Sequence, residues 1–282
     1  MGTARLVEVR RSCIGGHCPN HDAIVFVHGI FGDDNTFGQW PEQMPEEVNG
    51  HRIDVYRLRY QTALFAWLER DVPNLDVVVE KVFDELLPLI QPAGGRRYNS
   101  VNFIAHSLGG NVVGAYMHTV KSLLGHEIRA RHGFVITLGT PVLGAQIADV
   151  AKLLKSVLPT RNDKLLESLK RDNAFLRMMR YWRILENSKA ANFGCPSVNL
   201  YVGIESKPSW RFVTVVPNES ALGMDQIAEQ IKEFPGFTHS DLANSPSEKP
   251  DVRDWVQRIL NHEIALAGRS QDLESKLCLR VR

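Results

Sequence analysis

The sequence predicts an α/β fold, a mainly parallel central sheet flanked by helices, and three observations predict it. Apolar runs of strand length recur along the chain. Stretches with helical spacing lie between them. One run ends in a serine, two glycines and the start of a helical pattern, which calls for a strand, a sharp turn and a helix packed back on the strand.

The first run, Ala23-Ile24-Val25-Phe26-Val27, ends at His28-Gly29. A short, wholly apolar run suits a central parallel strand covered on both faces. Residues 53–60 alternate and form the next strand. Leu75, Val78, Val79, Val82, Phe83, Leu86, Leu87 and Ile90 then recur at helical spacing, and Pro92-Ala93-Gly94-Gly95 stops the pattern. This is the crossover helix into the run 101–105, which leads to His106-Ser107-Leu108-Gly109-Gly110 and a helix over about 109–124. Residues 133–138 and 198–204 are further buried strands, 212–217 a last short strand or loop segment, and about 252–267 a closing helix. Strands and helices alternating at this spacing imply right-handed crossovers within one domain spanning 1–282.

Between 142 and 195 no strand signal appears. Residues 152–183 carry nine basic and three acidic side chains, a net of +6. Leu165, Leu166, Leu169, Leu176 and Met179 can share helical faces. The expectation is a helical cap or lid inserted over the site. Its basic face either meets an anionic membrane surface or is simply solvated over ordinary helix packing.

Composition bounds the function classes. The chain has 282 residues, 44% hydrophobic and 23% charged, with a net charge of +1. That balance gives no case for nucleic acid as a partner. Four scattered cysteines suggest no disulfide framework. Cys13, His17, Cys18 and His21 cluster, but their spacing matches no common zinc pattern, so a polar loop before the first core strand is expected and no metal or cofactor. Arg5, Arg10 and Arg11 precede no signal-peptide core, and Leu6 breaks the myristoylation pattern. The uncharged stretch 101–120 has the length of a membrane span, but Asn102, His106, Asn111 and His118 interrupt it. The expected location is the cytoplasm.

The chemistry gathers around Ser107. A strand-to-helix elbow in the pattern G-x-S-x-G lifts a serine hydroxyl off the sheet edge. Here the pattern is Ala105-His106-Ser107-Leu108-Gly109, with alanine in the first glycine position; a serine before glycines can also be an ordinary helix cap. The loop His28-Gly29-Ile30-Phe31-Gly32 follows the first strand, at the end of the sheet where α/β folds bind ligands. Paired with the elbow, it reads as an oxyanion loop, with the N–H groups of Ile30 and Leu108 as donors. Acyl transfer by serine also needs a base and an acid to orient it. Of the ten histidines only His239 and His262 follow the last strands. His262 sits in the terminal helix pattern, so His239, in a loop before that helix, is the candidate base. Glu205, directly after the strand 198–204, is the first candidate acid and Asp225 the alternative. Asp241 lies too close to His239. Phe31 and His106 are candidate substrate-binding residues. With Phe37, Trp40 and Trp67 they could line an apolar acyl pocket, although core packing explains the aromatics equally.

Taken together, these residues resemble the α/β-hydrolase superfamily. Within it the chain is similar to the serine-active-site-containing lipases related to the GPI inositol-deacylases. The resemblance rests on His28-Gly29-Ile30-Phe31-Gly32 with Thr36 and Trp40, Tyr60-Gln61-Thr62 with Trp67, and Ala105 to Gly110. It extends through Gly139-Thr140-Pro141 with Gly144, Glu205-Ser206-Lys207-Pro208, Val215-Val216-Pro217-Asn218-Glu219-Ser220-Ala221 and His239-Ser240-Asp241-Leu242. It implies a triad of Ser107, Glu205 or Asp225, and His239, acting on a small-molecule or lipid ester. An acyltransferase on the same triad is one alternative; an inactive hydrolase fold that binds membranes or proteins is the other. Gln61 departs from the pattern, standing where an acidic residue is expected.

Overall fold

The computed structural model describes residues 4–12, 20–29, 32–33, 35–60, 75–91, 98–129, 132–140, 198–206, 228–244 and 250–278. Among these described residues, eight strands form one sheet. They are β1 (Ala4–Arg10), β2 (His21–Val27), β3 (Glu47–Val48), β4 (His51–Tyr60), β5 (Val101–His106), β6 (His132–Leu138), β7 (Asn199–Glu205) and β8 (Gln230–Phe234). The order is β1-β4-β2-β5-β6-β7-β8, with β3 paired to β4. From β4 to β8 every pairing along this path is parallel, while β1 and β3 lie antiparallel to β4. The described helices are α1 (Trp40–Gln43), α2 (Leu75–Ile90), α3 (Leu108–Arg129), α4 (His239–Asn244) and α5 (Asp251–Cys278). This is the α/β architecture expected, and α2 has the expected bounds.

Side-chain alternation divides the core in two. Ala23, Val25 and Val27 of β2, Val101, Phe103 and Ala105 of β5, and Leu200, Val202 and Ile204 of β7 pack in one cluster with α2 and α3. Ile24, Phe26, Ile104, Phe134, Ile136, Leu138 and Tyr201 face the other way, against Phe37, Trp40, Leu242, Trp255 and Ile259. Since alternate residues of a strand share a face, His106 points to the side of Ile104, and Glu205 to the side of Tyr201. That is the face covered by α1, α4 and α5, and it determines what each of these residues can meet.

Asn102 is the one buried amide within β5. It donates to Ala23 O and Ser100 Oγ and accepts from Phe134 N–H, where the β5–β6 register shifts. At this same end of the sheet, opposite the C-terminal strand ends, lies a buried polar cluster. Asp22 accepts from His51 Nδ1 at 2.7 Å and from the N–H and Oγ of Ser100. Asp54 accepts from Ser12 N–H and Tyr98 OH, and its Oδ1 lies 3.0 Å from His21 Nε2. Burial pushes the Asp54 carboxyl up, but His21, Ser12 and Tyr98 outweigh it and hold the carboxyl at about 2. His21 is therefore the first residue of β2, buried against a carboxylate, rather than part of a polar loop. Cys13, His17 and Cys18 lie outside the described residues.

The sequence reading misses β1 and β8, both edge strands. The segment 212–217 and the predicted cap, 142–195, lie outside the described residues. Among the described residues no helix is long and apolar enough to cross a membrane, and no cluster of three or more His, Cys, Asp or Glu could hold a metal ion.

Candidate active site

Ser107 stands between β5 and α3 with φ of 55°. Outside glycine that left-handed conformation is uncommon and marks a strained turn. Ser107 N–H donates to Leu138 O at 2.9 Å, and Ser107 O accepts from Gly110 N–H at 3.1 Å, so the elbow is tied to the end of β6 and to the helix it starts. A Cβ on Gly109 would fall 2.4 Å from Val27 O and 2.5 Å from His28 O. The first turn of α3 therefore lies directly on the end of β2, and only glycine fits there. Ala105, in place of the first elbow glycine, is fully buried, with its methyl packed in the α2/α3 core.

Leu108 is the first residue of α3, and the first N–H groups of a helix have no partner within it. The opposing loop approaches closely: a Cβ on Gly29 would sit 2.6 Å from Ser107 Cβ. Gly29 O accepts from His28 Nδ1 at 2.8 Å and from Gly32 N–H at 3.0 Å. Tyr60 donates its hydroxyl to His28 O and stacks on the His28 ring, centroids 4.4 Å apart and planes within 5°. Ile30 and Phe31 lie outside the described residues.

Strand register brings the acid to the same end of the sheet. His106 is level with Leu138, and Leu138 with Gly203. Ser107 is thus one residue past this row and Glu205 two residues past it, two strands away, roughly 10 Å across the sheet. An imidazole can bridge that gap. The Glu205 carboxylate is fully buried, and its Oε1 lies 3.2 Å from His239 Nδ1. Gly139, between them at the end of β6, has φ of 58°. A Cβ there would fall 2.7 Å from His239 Nδ1 and 2.9 Å from Glu205 Oε2.

His239 is the first residue of α4, not a loop residue. Thr238 and Asp241 cap that helix reciprocally. Asp241 N–H donates to Thr238 Oγ1, and Thr238 N–H donates to Asp241 Oδ2 at 2.9 Å. This is a capping box, with Asp in place of the usual Glu. It gives Asp241 a structural role, and the spacing of Thr238 to Asp241 is the sequence signal that could have found α4. Leu242 and Ala243 anchor the helix in the core.

His106 is buried between rings. Its centroid lies 4.5 Å from that of His239 and 6.5 Å from that of Phe37. Its Nε2 donates to His239 O at 2.8 Å. His262 is mostly exposed on α5. Asp225 lies outside the described residues.

Residues 19–167 match the family described as Putative serine esterase (DUF676). The chain belongs to this serine esterase family. Membership makes the esterase an ester hydrolase at the general level, on an α/β-hydrolase fold. No curated protein matches its sequence. Among solved structures it is similar to Esterase B from Lactobacillus rhamnosis, inhibited there by a tributyrin phosphonate. The two are 13% identical over 96% of this chain and 89% of that one, with a TM-score of 0.57. One of two fungal esterases from Rhizomucor miehei is 12% identical over 96% of this chain and 86% of that one, TM-score 0.52. An α/β hydrolase from a Mar Chica lagoon sediment metagenome is 14% identical over 91% and 95%, TM-score 0.50. At these identities the likeness speaks for the fold.

Proposed function

We propose that the esterase cleaves carboxylic esters through an acyl-enzyme on Ser107, with His239 as general base and Glu205 as the carboxylate that orients it. The observation that supports this most is the fully buried Glu205 on His239 Nδ1, two strands from the strained serine. A carboxylate on Nδ1 fixes the proton there and leaves the lone pair on Nε2. Ser107 Oγ bonds to the acyl carbon while its proton passes to His239 Nε2, and the carbonyl electrons move onto oxygen. The N–H groups of Leu108 and Ile30 hold that oxyanion, each worth about 10²–10³ in rate. Collapse breaks the ester C–O bond, and the leaving oxygen takes the proton from His239. Water repeats the sequence on the acyl-enzyme, giving its proton to His239 and releasing the acid. Phe31, next to Ile30 in the chain, supports an ester with an apolar acyl group, small or lipid.

Turnover of short- and long-chain esters by wild type, Ser107→Ala and His239→Ala, with and without an added alcohol, tests the reading. Each substitution should cost up to about 10⁶-fold in kcat. Wild-type rates in Ser107→Ala would overturn the assignment. New esters formed only when alcohol is present would show transfer rather than hydrolysis.

A further inference from the structure

We infer that His106 is a positioning residue for the catalytic base, holding His239 in place through its main chain. The inference rests on the triad reading above and deepens it. A carbonyl oxygen only accepts, so the 2.8 Å contact to His239 O requires the hydrogen of His106 on Nε2. The ring has no freedom to turn away. It sits nearly perpendicular to the Phe37 ring, His239 lies 4.5 Å off, and the residue is only 7% exposed. Strand alternation puts it there, on the same face as Ile104, one residue before the nucleophile.

The consequence concerns the path between nucleophile and base. Ser107 is fixed to β6 through its N–H, and Glu205 by the end of β7. His239 comes from a separate six-residue helix, which has its own cap and its own apolar anchor. His106 makes a direct polar tie from the elbow strand to the main chain of His239. Such a tie sets the distance between the two reacting residues, and a misplacement of 1 Å can cost about 10²-fold in rate. Burial, the charge His239 acquires and nearby His28 all push the His106 ring well below its ordinary range. The tie is therefore a neutral donor, and it sets no second cation beside the imidazolium that forms on His239.

The geometry names its own test. In glutamine the amide nitrogen sits where histidine carries Nε2; in asparagine it sits where histidine carries Nδ1. Phenylalanine keeps the ring and the volume but donates nothing. The experiment measures the rate of Ser107 labelling by a fluorophosphonate, kcat and KM on a soluble ester, and thermal midpoints, for wild type, His106→Phe, His106→Gln and His106→Asn. The expected result is a 10- to 100-fold fall in kcat and labelling rate for His106→Phe, with KM within about twofold. His106→Gln should recover most of the loss and His106→Asn should not, whatever order the midpoints take. Wild type that labels beside an equally fast His106→Phe overturns the assignment. So do losses that follow the thermal midpoints, with Gln no better than Asn. Wild type that never labels at Ser107 overturns the serine-ester reading, and this assignment with it.

Discussion

Replacing Glu205 by Gln keeps the shape of the side chain and removes its charge. In the esterase that charge is fully buried, 3.2 Å from His239 Nδ1. At an effective dielectric of 20, a unit positive charge on His239 would interact with it by about 5 kcal/mol. At 1.36 kcal/mol per decade, losing most of that stabilisation slows the step that forms the imidazolium by about 10³–10⁴-fold. The loss should fall on kcat, because no imidazolium exists when substrate merely binds. A continuous assay on a soluble ester, with active sites counted by fluorophosphonate titration, separates slow turnover from lost protein. An E205Q enzyme within tenfold of wild type would refute the reasoning. If D225N then carried the large loss, Asp225 would be the acid.

Four further predictions follow from the same structure and sequence. Asp54 has a folded pKa of about 2 against an ordinary value of 3.8, so its contribution of about 2 kcal/mol is present above pH 4 and fades as pH falls toward 2. Thermal melts of D54N should show a lower midpoint at neutral pH and a flatter decline between pH 4 and 2; the reasoning fails if the acid limb is unchanged. The opposite sign holds for His51, whose bond to Asp22 raises its pKa above 6.5: its contribution is complete below that value and lost as pH rises through the raised one. Gly139→Ala should cost about 1–2 kcal/mol of backbone strain, and its methyl should part His239 from Glu205, lowering kcat by about 10²-fold or more; melts and turnover measured together check both. If residues 152–183 meet an anionic membrane rather than solvent alone, reversing the charges of Lys170, Arg171 and Arg177 should abolish binding to anionic liposomes and spare turnover of soluble esters; unchanged liposome binding would remove the membrane role of this stretch.

The central strands were readable because both faces are buried. Residues 23–27 are wholly apolar, 101–105 are broken only by Asn102 and 133–138 only by Gly133 and Thr137, and each run lies within an observed strand. The edge strands were not readable for the converse reason. β8 has only Ile231 and Phe234 among five residues, and β1 mixes Arg5, Glu8 and Arg10 with aliphatics on a half-exposed edge. Six residues of α4 are too few to show a helical period, so His239 read as a loop residue. The buried carboxylates Asp22 and Asp54 received no reading of their own, although an acid at the edge of or within a strand pattern implies a buried partner. Ser107 was legible because an elbow needs small residues in fixed order. His106 was not legible as a partner of His239: the contact spans 133 positions and depends on strand parity together with the start of α4.

The measurement that bears most directly on the central claim is intact mass after exposure to a fluorophosphonate, wild type beside Ser107→Ala. The account predicts one adduct on wild type, mapped to Ser107 by peptide sequencing, and none on the variant. An adduct on the variant, or folded wild-type esterase that stays unmodified while turning over an ester, would contradict it.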